Sequence, residues 1–190
     1  MNNDLKNKLA IFDLDGTLFD TGEVNYLSYK QALQQQGYAL DYEFYTKECN
    51  GKYYKEYLPS IIDNPTLELM ETIHNQKKDL YASNLGAARV NEHLFNIIES
   101  LKGNYYVAVV TTASSKNCSD ILMHFSKKDL FDLIITHNDV QKVKPDPEGF
   151  LKAMSYFNIS AENTIIFEDS EVGVEAALSS GAVVFTIAQF

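Results

Sequence analysis

Residues 11–20 read Ile11-Phe12-Asp13-Leu14-Asp15-Gly16-Thr17-Leu18-Phe19-Asp20, and this stretch decides the fold. An apolar run from Leu9 to Phe12 drives into two aspartates spaced i, i+2, followed at once by a glycine and a threonine. A run of this kind reads as a buried central strand. Carboxylates at its end must meet a cation, hydrogen-bond donors or solvent, because an isolated ionised carboxylate is far too costly to bury. A divalent metal satisfies them economically, and Mg²⁺ typically takes one or two carboxylates while keeping other positions for water and phosphate. Asp-x-Asp-Gly is also common in turns, and its last two residues alone are a hairpin signal. Its flanks decide between the two.

Outward from this stretch the pattern turns helical. Glu23 to Gln36 carries Tyr26, Tyr29 and Leu33 on one face, with Gly37 where a helix C-cap belongs. Asp41 suits the cap of a helix through Cys49 that stops near Gly51. Tyr53 to Ile62 and Thr66 to Tyr81 read as two more helices, separated by Asn64-Pro65. Residues 20–85 contain no clear strand and many tyrosines, as expected of a small amphipathic bundle. A lid with aromatic and basic side chains facing a substrate is the sharper reading, and Gly51-Lys52 is its best candidate.

From residue 86 the order is helix, strand, helix, strand. Val90, Leu94, Ile97, Ile98 and Leu101 form an apolar stripe that predicts a helix over Val90 to Lys102, ended by Gly103. Strands are expected at Tyr105 to Val110, Leu133 to Thr136, Thr164 to Phe167 and Val183 to Ile187, after a first strand at Lys8 to Leu14. Helices are expected at Ser115 to Phe125, Glu148 to Phe157 and Glu171 to Leu178. Pro147 suits the first turn of the second of these. This alternation is the α/β pattern of a parallel sheet flanked by helices. The expected division is a core of residues 1–19 and 86–190, with 20–85 an inserted helical domain.

The bulk properties narrow the function. The chain has 190 residues, 45% hydrophobic and 22% charged, with formal net charge −10. That is enough for one ordinary domain carrying a small insertion. The negative charge argues against nucleic acid or an anionic membrane as partner, since both need basic patches. Cys49 and Cys118 lie far apart without metal-ligand spacing, which fits free intracellular thiols. Met1 to Lys8 is polar and lacks the apolar centre of a signal peptide. No run of ~18 apolar residues could span a membrane. The cytoplasm is the expected compartment. The pattern fixes no oligomeric state and is compatible with a monomer.

Polar groups recur where strands end: Asp13 and Asp15, Thr111 and Thr112, Lys144, then Glu168 and Asp169. In open α/β sheets ligands bind at the carboxyl ends of strands, so these groups can converge. Singly each has a plain structural explanation, as helix cap or solvated loop. Together they supply a nucleophile, an acid, phosphate donors, a cation and a metal site.

They also match a family in sequence order. The phrase DLDGTLFDT resembles the first motif of the haloacid dehalogenase-like hydrolases, the aspartyl-phosphate enzymes. Val109-Val110-Thr111-Thr112-Ala113-Ser114 resembles the second, Val143-Lys144-Pro145-Asp146-Pro147 the third, and Phe167-Glu168-Asp169-Ser170 with Gly173, Ala176 and Ala177 the fourth. The resemblance runs from residue 8 to the end. It implies a Rossmann-like parallel sheet with a small helical cap inserted after the first motif, as in subfamily I. It is similar to the phosphoglycolate phosphatase and β-phosphoglucomutase branches.

The resemblance implies roles as well. Asp13 is the expected nucleophile and Asp15 the acid and base. Mg²⁺ is the expected cofactor, held by Asp13, the Asp15 carbonyl and Asp169, with Glu168 auxiliary. Lys144 should contact the Asp13 carboxylate, and Lys142 is the alternative lysine. Thr111 or Thr112 binds the phosphoryl group. Spacing to the downstream serines favours Thr112 with the amide of Ala113. In the family, phosphatases and phosphomutases carry the second aspartate, so Asp15 points to phosphate esters. The expected activity is Mg²⁺-dependent hydrolysis of a small phosphorylated metabolite. The alternative is a sugar phosphomutase of the β-phosphoglucomutase kind, which the Ser114/Ser115-Lys116-Asn117 segment also resembles. A receiver domain uses similar residues, but its acceptor aspartate lies on an internal strand and no helical insertion follows strand one.

Overall fold

The computed structural model describes residues 6–188 and residue 190. Residues 1–5 of the polar N-terminal stretch, on which the signal-peptide expectation partly rests, lie outside the described residues. In chain order the elements begin with β1 (Lys8–Phe12), β2 (Phe19–Asp20), α1 (Gly22–Gln35), α2 (Tyr42–Phe44), a π-helical turn (Tyr45–Cys49), α3 (Tyr54–Ile61) and α4 (Leu67–Leu80). Then come β3 (Arg89–Val90), α5 (Glu92–Leu101), β4 (Tyr105–Val110), α6 (Ser115–His124) and β5 (Leu133–Ile135). The chain continues through α7 (Glu148–Phe157), β6 (Thr164–Glu168), α8 (Glu171–Ser179) and β7 (Val183–Thr186).

The elements form two compact units. One holds the sheet and comprises the described residues up to Asp20 and from Arg89; the other is Thr21–Ala88. In the first, five strands form one parallel sheet in the order β5-β4-β1-β6-β7. β1 is central, which is why Leu9 to Phe12 can be apolar on both faces and fully buried. Leu9, Ile11, Ala108, Val110 and Ile166 share one core cluster with Phe150, Ala153 and Met154 of α7 and Ala176 and Ala177 of α8. α5 lies against β4, with Leu94, Phe95 and Ile98 buried.

Strand register aligns the polar residues at the end of the sheet. Phe12 pairs with Val109 on one side and Phe167 on the other, and Phe167 pairs with Phe185. The Phe12, Phe167 and Phe185 rings stack in a row, with centroids 4.5 Å and 5.2 Å apart. The next residues, Asp13, Val110 and Glu168, are therefore level with one another at the carboxyl end of the sheet. Asp13 N–H extends the ladder by one bond, donating to Phe167 O at 3.0 Å. Strand order reverses between β1 and β6, so this end is the topological switch point.

Several local expectations change. The helix expected from Val90 starts at Glu92, where Asn91 caps it by accepting from Leu94 N–H at 3.3 Å. Arg89–Val90 instead pairs antiparallel with Phe19–Asp20. Two-residue strands are too short to show a period of two, so no pattern announces them. Ile97, counted in the apolar stripe, is 39% exposed, and Phe95 takes the inward position. The first strand ends at Phe12 rather than Leu14, since the amides of Leu18 and Phe19 both fold back onto Leu14 O at 3.0 Å.

The second unit is a helical bundle. Tyr26, Tyr29, Leu33, Tyr57, Leu58 and Ile73 are in its core. Thr66 and Asp41 cap α4 and α2. The helix expected from Asp41 to Cys49 ends as the π-helical turn. Gly51 follows with φ +77°, a left-handed conformation that favours glycine. Lys52 and Lys55 pair with Glu48 and Glu71 at 3.4 Å and 3.3 Å. No helix among the described residues is long and apolar enough to cross a membrane.

Candidate active site

The level row at the carboxyl end of the sheet is joined by one side chain. Lys144 Nζ donates to Asp13 Oδ1 at 2.6 Å, to Glu168 Oε2 at 2.6 Å and to Val110 O at 3.0 Å. The ammonium thus spans β4, β1 and β6 in one layer, and its side chain is only 6% exposed. Lys142 is exposed and pairs with Asp146 at 3.5 Å, which removes it as the alternative lysine.

Glu168 is committed on both oxygens. Oε2 takes Lys144, while Oε1 accepts from Ser170 Oγ at 2.9 Å and from the amides of Asp169 and Ser170 at 3.2 Å. The carboxylate lies against the start of α8, where a Cβ on Gly173 would come within 2.1 Å of Glu168 Cδ. Asp169 reaches toward the first motif, and its Oδ1 accepts from Thr17 Oγ1 at 2.8 Å. Gly16 adopts φ +91°, and a Cβ there would lie 2.1 Å from Asp169 Oδ2. Gly16 is therefore required twice, by backbone conformation and by space.

Burial sets the charge states. It pushes the Asp13 carboxyl well above the ordinary range; Lys144 pulls it back only in part, and Glu168 and Asp15 push it further up. Burial also raises Asp169, against the Thr17 hydrogen bond. Burial alone would lower the Lys144 ammonium, but the charges of Asp13 and Glu168 outweigh it and the pKa is raised. Three carboxylates face one ammonium, so the site carries excess negative charge. Oxygens of Asp13, Glu168 and Asp169 lie within 4.8 Å of one another, close enough to hold a metal ion. Hard oxygen donors with unrelieved negative charge are what a hard divalent cation fits.

The remaining expected residues divide. Asp15 is half-buried, two residues beyond Asp13. Cys118 registers its proximity: its thiol is pushed up to about 12 by burial first, then by Asp15 and Asp13, which makes it inert. Thr111 is buried directly after Val110, and its Oγ1 accepts from Ala113 N–H at 3.0 Å. Thr112 is exposed. The Ala113 amide is thus turned onto Thr111. Accepting that bond leaves the Thr111 hydroxyl proton available to donate. Sequence reasoning gave no role to Thr17. It belongs to the quoted first stretch, but a bond across 152 positions has no local signal.

Comparisons with known proteins bear on the family and the fold. The family model for haloacid dehalogenase-like hydrolases matches residues 10–187. A phosphorylated carbohydrates phosphatase of Thermotoga maritima is 27% identical over 180 residues, covering 90% of this chain and 81% of that protein. The β-phosphoglucomutase of Bacillus subtilis is 28% identical over 183 residues, covering 92% and 80%. Among solved structures, a predicted phosphoglycolate phosphatase of Haemophilus somnus superposes with a TM-score of 0.83 at 24% identity, covering 94% of this chain and 84% of that one. At that identity the likeness speaks to the fold alone, a parallel sheet flanked by helices. The family model spans nearly the whole chain, and on that ground the chain belongs to the haloacid dehalogenase-like hydrolases.

Proposed function

We propose that this chain is a Mg²⁺-dependent phosphatase that hydrolyses a small phosphorylated metabolite through an aspartyl-phosphate. The observation that carries the reading is the buried Lys144 ammonium bonded to both Asp13 and Glu168 at 2.6 Å. A buried ion group of this kind is a poor source of stability. It makes chemical sense where an anionic group must be met at a carboxylate nucleophile.

Asp13 attacks phosphorus, forming an acyl phosphate as the bond to the leaving ester oxygen breaks. Asp15 gives its proton to that oxygen. Asp15 then takes a proton from water, whose oxygen attacks the acyl phosphate and releases inorganic phosphate and Asp13. Lys144 offsets charge on the nucleophile and the transferring group. The Thr111 hydroxyl, buried one residue beyond the level of Asp13, is better supported than the exposed Thr112 as a phosphoryl donor. Asp13, Asp169 and the Asp15 carbonyl would hold Mg²⁺, with Glu168 auxiliary because both its oxygens already accept bonds. Bound there, the ion would supply charge stabilisation for the phosphoryl oxygens. Residues 20–85 act as the cap that selects the substrate. Relatives named for phosphorylated carbohydrates support a sugar phosphate.

Similarity to a β-phosphoglucomutase supports a second reading, isomerisation of a sugar phosphate. Product analysis separates the two. Incubation with Mg²⁺ and a set of phosphorylated metabolites should release free phosphate. Isomerised sugar phosphate without phosphate release would favour the mutase. Undiminished turnover in excess chelator would remove the metal from the reading.

A further inference from the structure

The loop that delivers Lys144 is exposed, yet Lys144 Nζ sits within hydrogen-bond distance of three groups on three strands. Something must hold the loop in place. Val140 packs on the core ahead of it, and the Phe150 ring centroid lies 5.2 Å from Lys144 Nζ. Gln141, Lys142 and Val143 all face solvent, however, so apolar packing does not fix the residues that lead into Lys144. The fixing bonds come from the first two turns of α7. Glu148 Oε1 and Oε2 accept from Gln141 N–H at 3.0 Å and 3.2 Å, and Oε2 accepts from Lys142 N–H at 2.8 Å. Lys152 Nζ bonds Glu148 Oε1 at 2.7 Å and also donates to Asp139 O at 2.7 Å. Asp146, two residues beyond Lys144, accepts from Glu148 N–H at 3.0 Å. The loop is thus tied to α7 on both sides of Lys144.

α7 is itself fixed against the strand that bears the site. Gly149, adjacent to Glu148, packs so closely that a Cβ would lie 2.8 Å from Val110 Cγ1. Val110 is the residue whose carbonyl accepts from Lys144. The same strand end therefore anchors the helix and receives the ammonium, with Glu148 connecting the two. The low pKa of its carboxyl, about 2, is caused first by Lys152 and then by the two amides, as expected of a carboxylate saturated with donors.

We propose that Glu148 is a positioning residue for Lys144: by gathering the Gln141 and Lys142 amides onto α7, it holds the loop at the one geometry from which Lys144 reaches Asp13 and Glu168. It touches no reacting atom, and the inference rests on the role given to Lys144 above. Misplacement by about 1 Å can cost roughly 10²-fold in rate.

The test is steady-state hydrolysis of p-nitrophenyl phosphate with Mg²⁺, for wild type, Glu148→Gln, Glu148→Asp and Lys144→Ala, and for Lys144→Ala combined with Glu148→Gln. Backbone hydrogen exchange over 139–146 is measured in parallel. Glu148→Gln keeps the shape but puts an NH₂ against backbone donors. We expect kcat to fall about 10- to 100-fold with KM changed far less, faster exchange confined to the loop, and partial rescue in Glu148→Asp. In the Lys144→Ala background the Glu148 substitution should cost nothing more, which a general loss of stability would not produce. Full wild-type kcat in Glu148→Gln, or additive losses in the double variant, would overturn the assignment while leaving the phosphatase reading intact. A wild type inert toward every phosphate ester would overturn that reading and this inference with it.

Discussion

Around Asp13 the buried polar groups are bonded carboxylates and an ammonium; around Tyr29 they are mostly aromatic rings, with the Lys77 ammonium lying over the Tyr29 and Tyr81 rings. In the sheet unit Asp13, Glu168 and Lys144 are bonded to one another with little access to water. In the helical unit Tyr29 Oη bonds His74 Nδ1 at 2.7 Å, and the His74 ring stacks on Tyr54 with centroids 4.0 Å apart. Burial raises the Tyr29 and Tyr57 hydroxyls far above their ordinary range, so both stay neutral. Ions taken out of water are expensive, and a hydrophobic replacement of such a group is often no less stable. Satisfied neutral groups in an apolar interior support the fold instead. The difference predicts that substitutions in the first region act on turnover and those in the second on stability.

The hardest test of that contrast is Asp13→Asn. The amide is nearly isosteric, so folding should survive, with a melting temperature no lower than wild type because a carboxylate that burial penalises has been removed. Turnover should fall by roughly 10⁴-fold or more. A variant that unfolds would place Asp13 with the stabilising groups and break the comparison. Asp15→Asn comes next. It loses proton transfer, typically worth ~10²–10⁴-fold, but keeps the nucleophile. With an acyl phosphate, whose leaving group needs no proton, a phosphoryl adduct should accumulate on Asp13 and be visible in the intact mass. An adduct on Asp15, or on neither residue, would overturn the mechanism and leave the fold untouched.

The helical unit should behave the other way. Leu33 is fully buried in its core, and Leu33→Ala should cost about 2–5 kcal/mol. Denaturant unfolding measures the loss, and turnover of p-nitrophenyl phosphate per folded molecule should stay near wild type. Tyr29→Phe removes the hydroxyl's bonds to His74 and Tyr57 and should cost about 1–3 kcal/mol. A turnover loss out of proportion to the folded fraction in either variant would show that this interior serves the chemistry too.

The two regions also differ in how much of them can be read from sequence. The sheet was legible because its strands are apolar runs ending in polar clusters, and parallel register then aligns Asp13 with Glu168 without further information. The helices of the second unit were legible from Tyr26, Tyr29 and Leu33, and from caps such as Thr66. What escaped were contacts with no local period. The ribbon of Phe19–Asp20 with Arg89–Val90 is two residues long, and the Thr17 bond to Asp169 joins distant loops. The choice between Thr111 and Thr112 turns on one residue of strand end, finer than spacing resolves. Glu148 reads as an ordinary acidic residue in the first turn of a helix. Its role lies in backbone amides of a preceding loop, which no side-chain pattern encodes.

Glu148 also gives the smallest predicted effect, at the solvent-facing edge of the sheet unit. Its carboxyl is held down to about 2, by the Lys152 hydrogen bond first and then by the amides of Gln141 and Lys142. In an unfolded chain a glutamate titrates near ~4.3. A carboxyl whose folded pKa is lowered contributes stability above its unfolded value and loses it as pH falls toward the folded value. Lys142, Lys152 and Asp146 are the charged groups around it, and Lys142 and Asp146 also pair with each other. Glu148→Gln removes the titrating group but leaves that second pair. Its melting temperature should therefore lie below wild type by a constant amount from roughly pH 8 down to about pH 5, and the gap should close between about pH 5 and pH 2. Salt should narrow the gap only in part, because it screens the Lys152 pair far more than the two amide bonds. Thermal unfolding of both proteins across that range measures it. A gap independent of pH would mean that Glu148 holds the loop by shape rather than charge, leaving every ion that matters in the sheet unit within the buried group around Asp13.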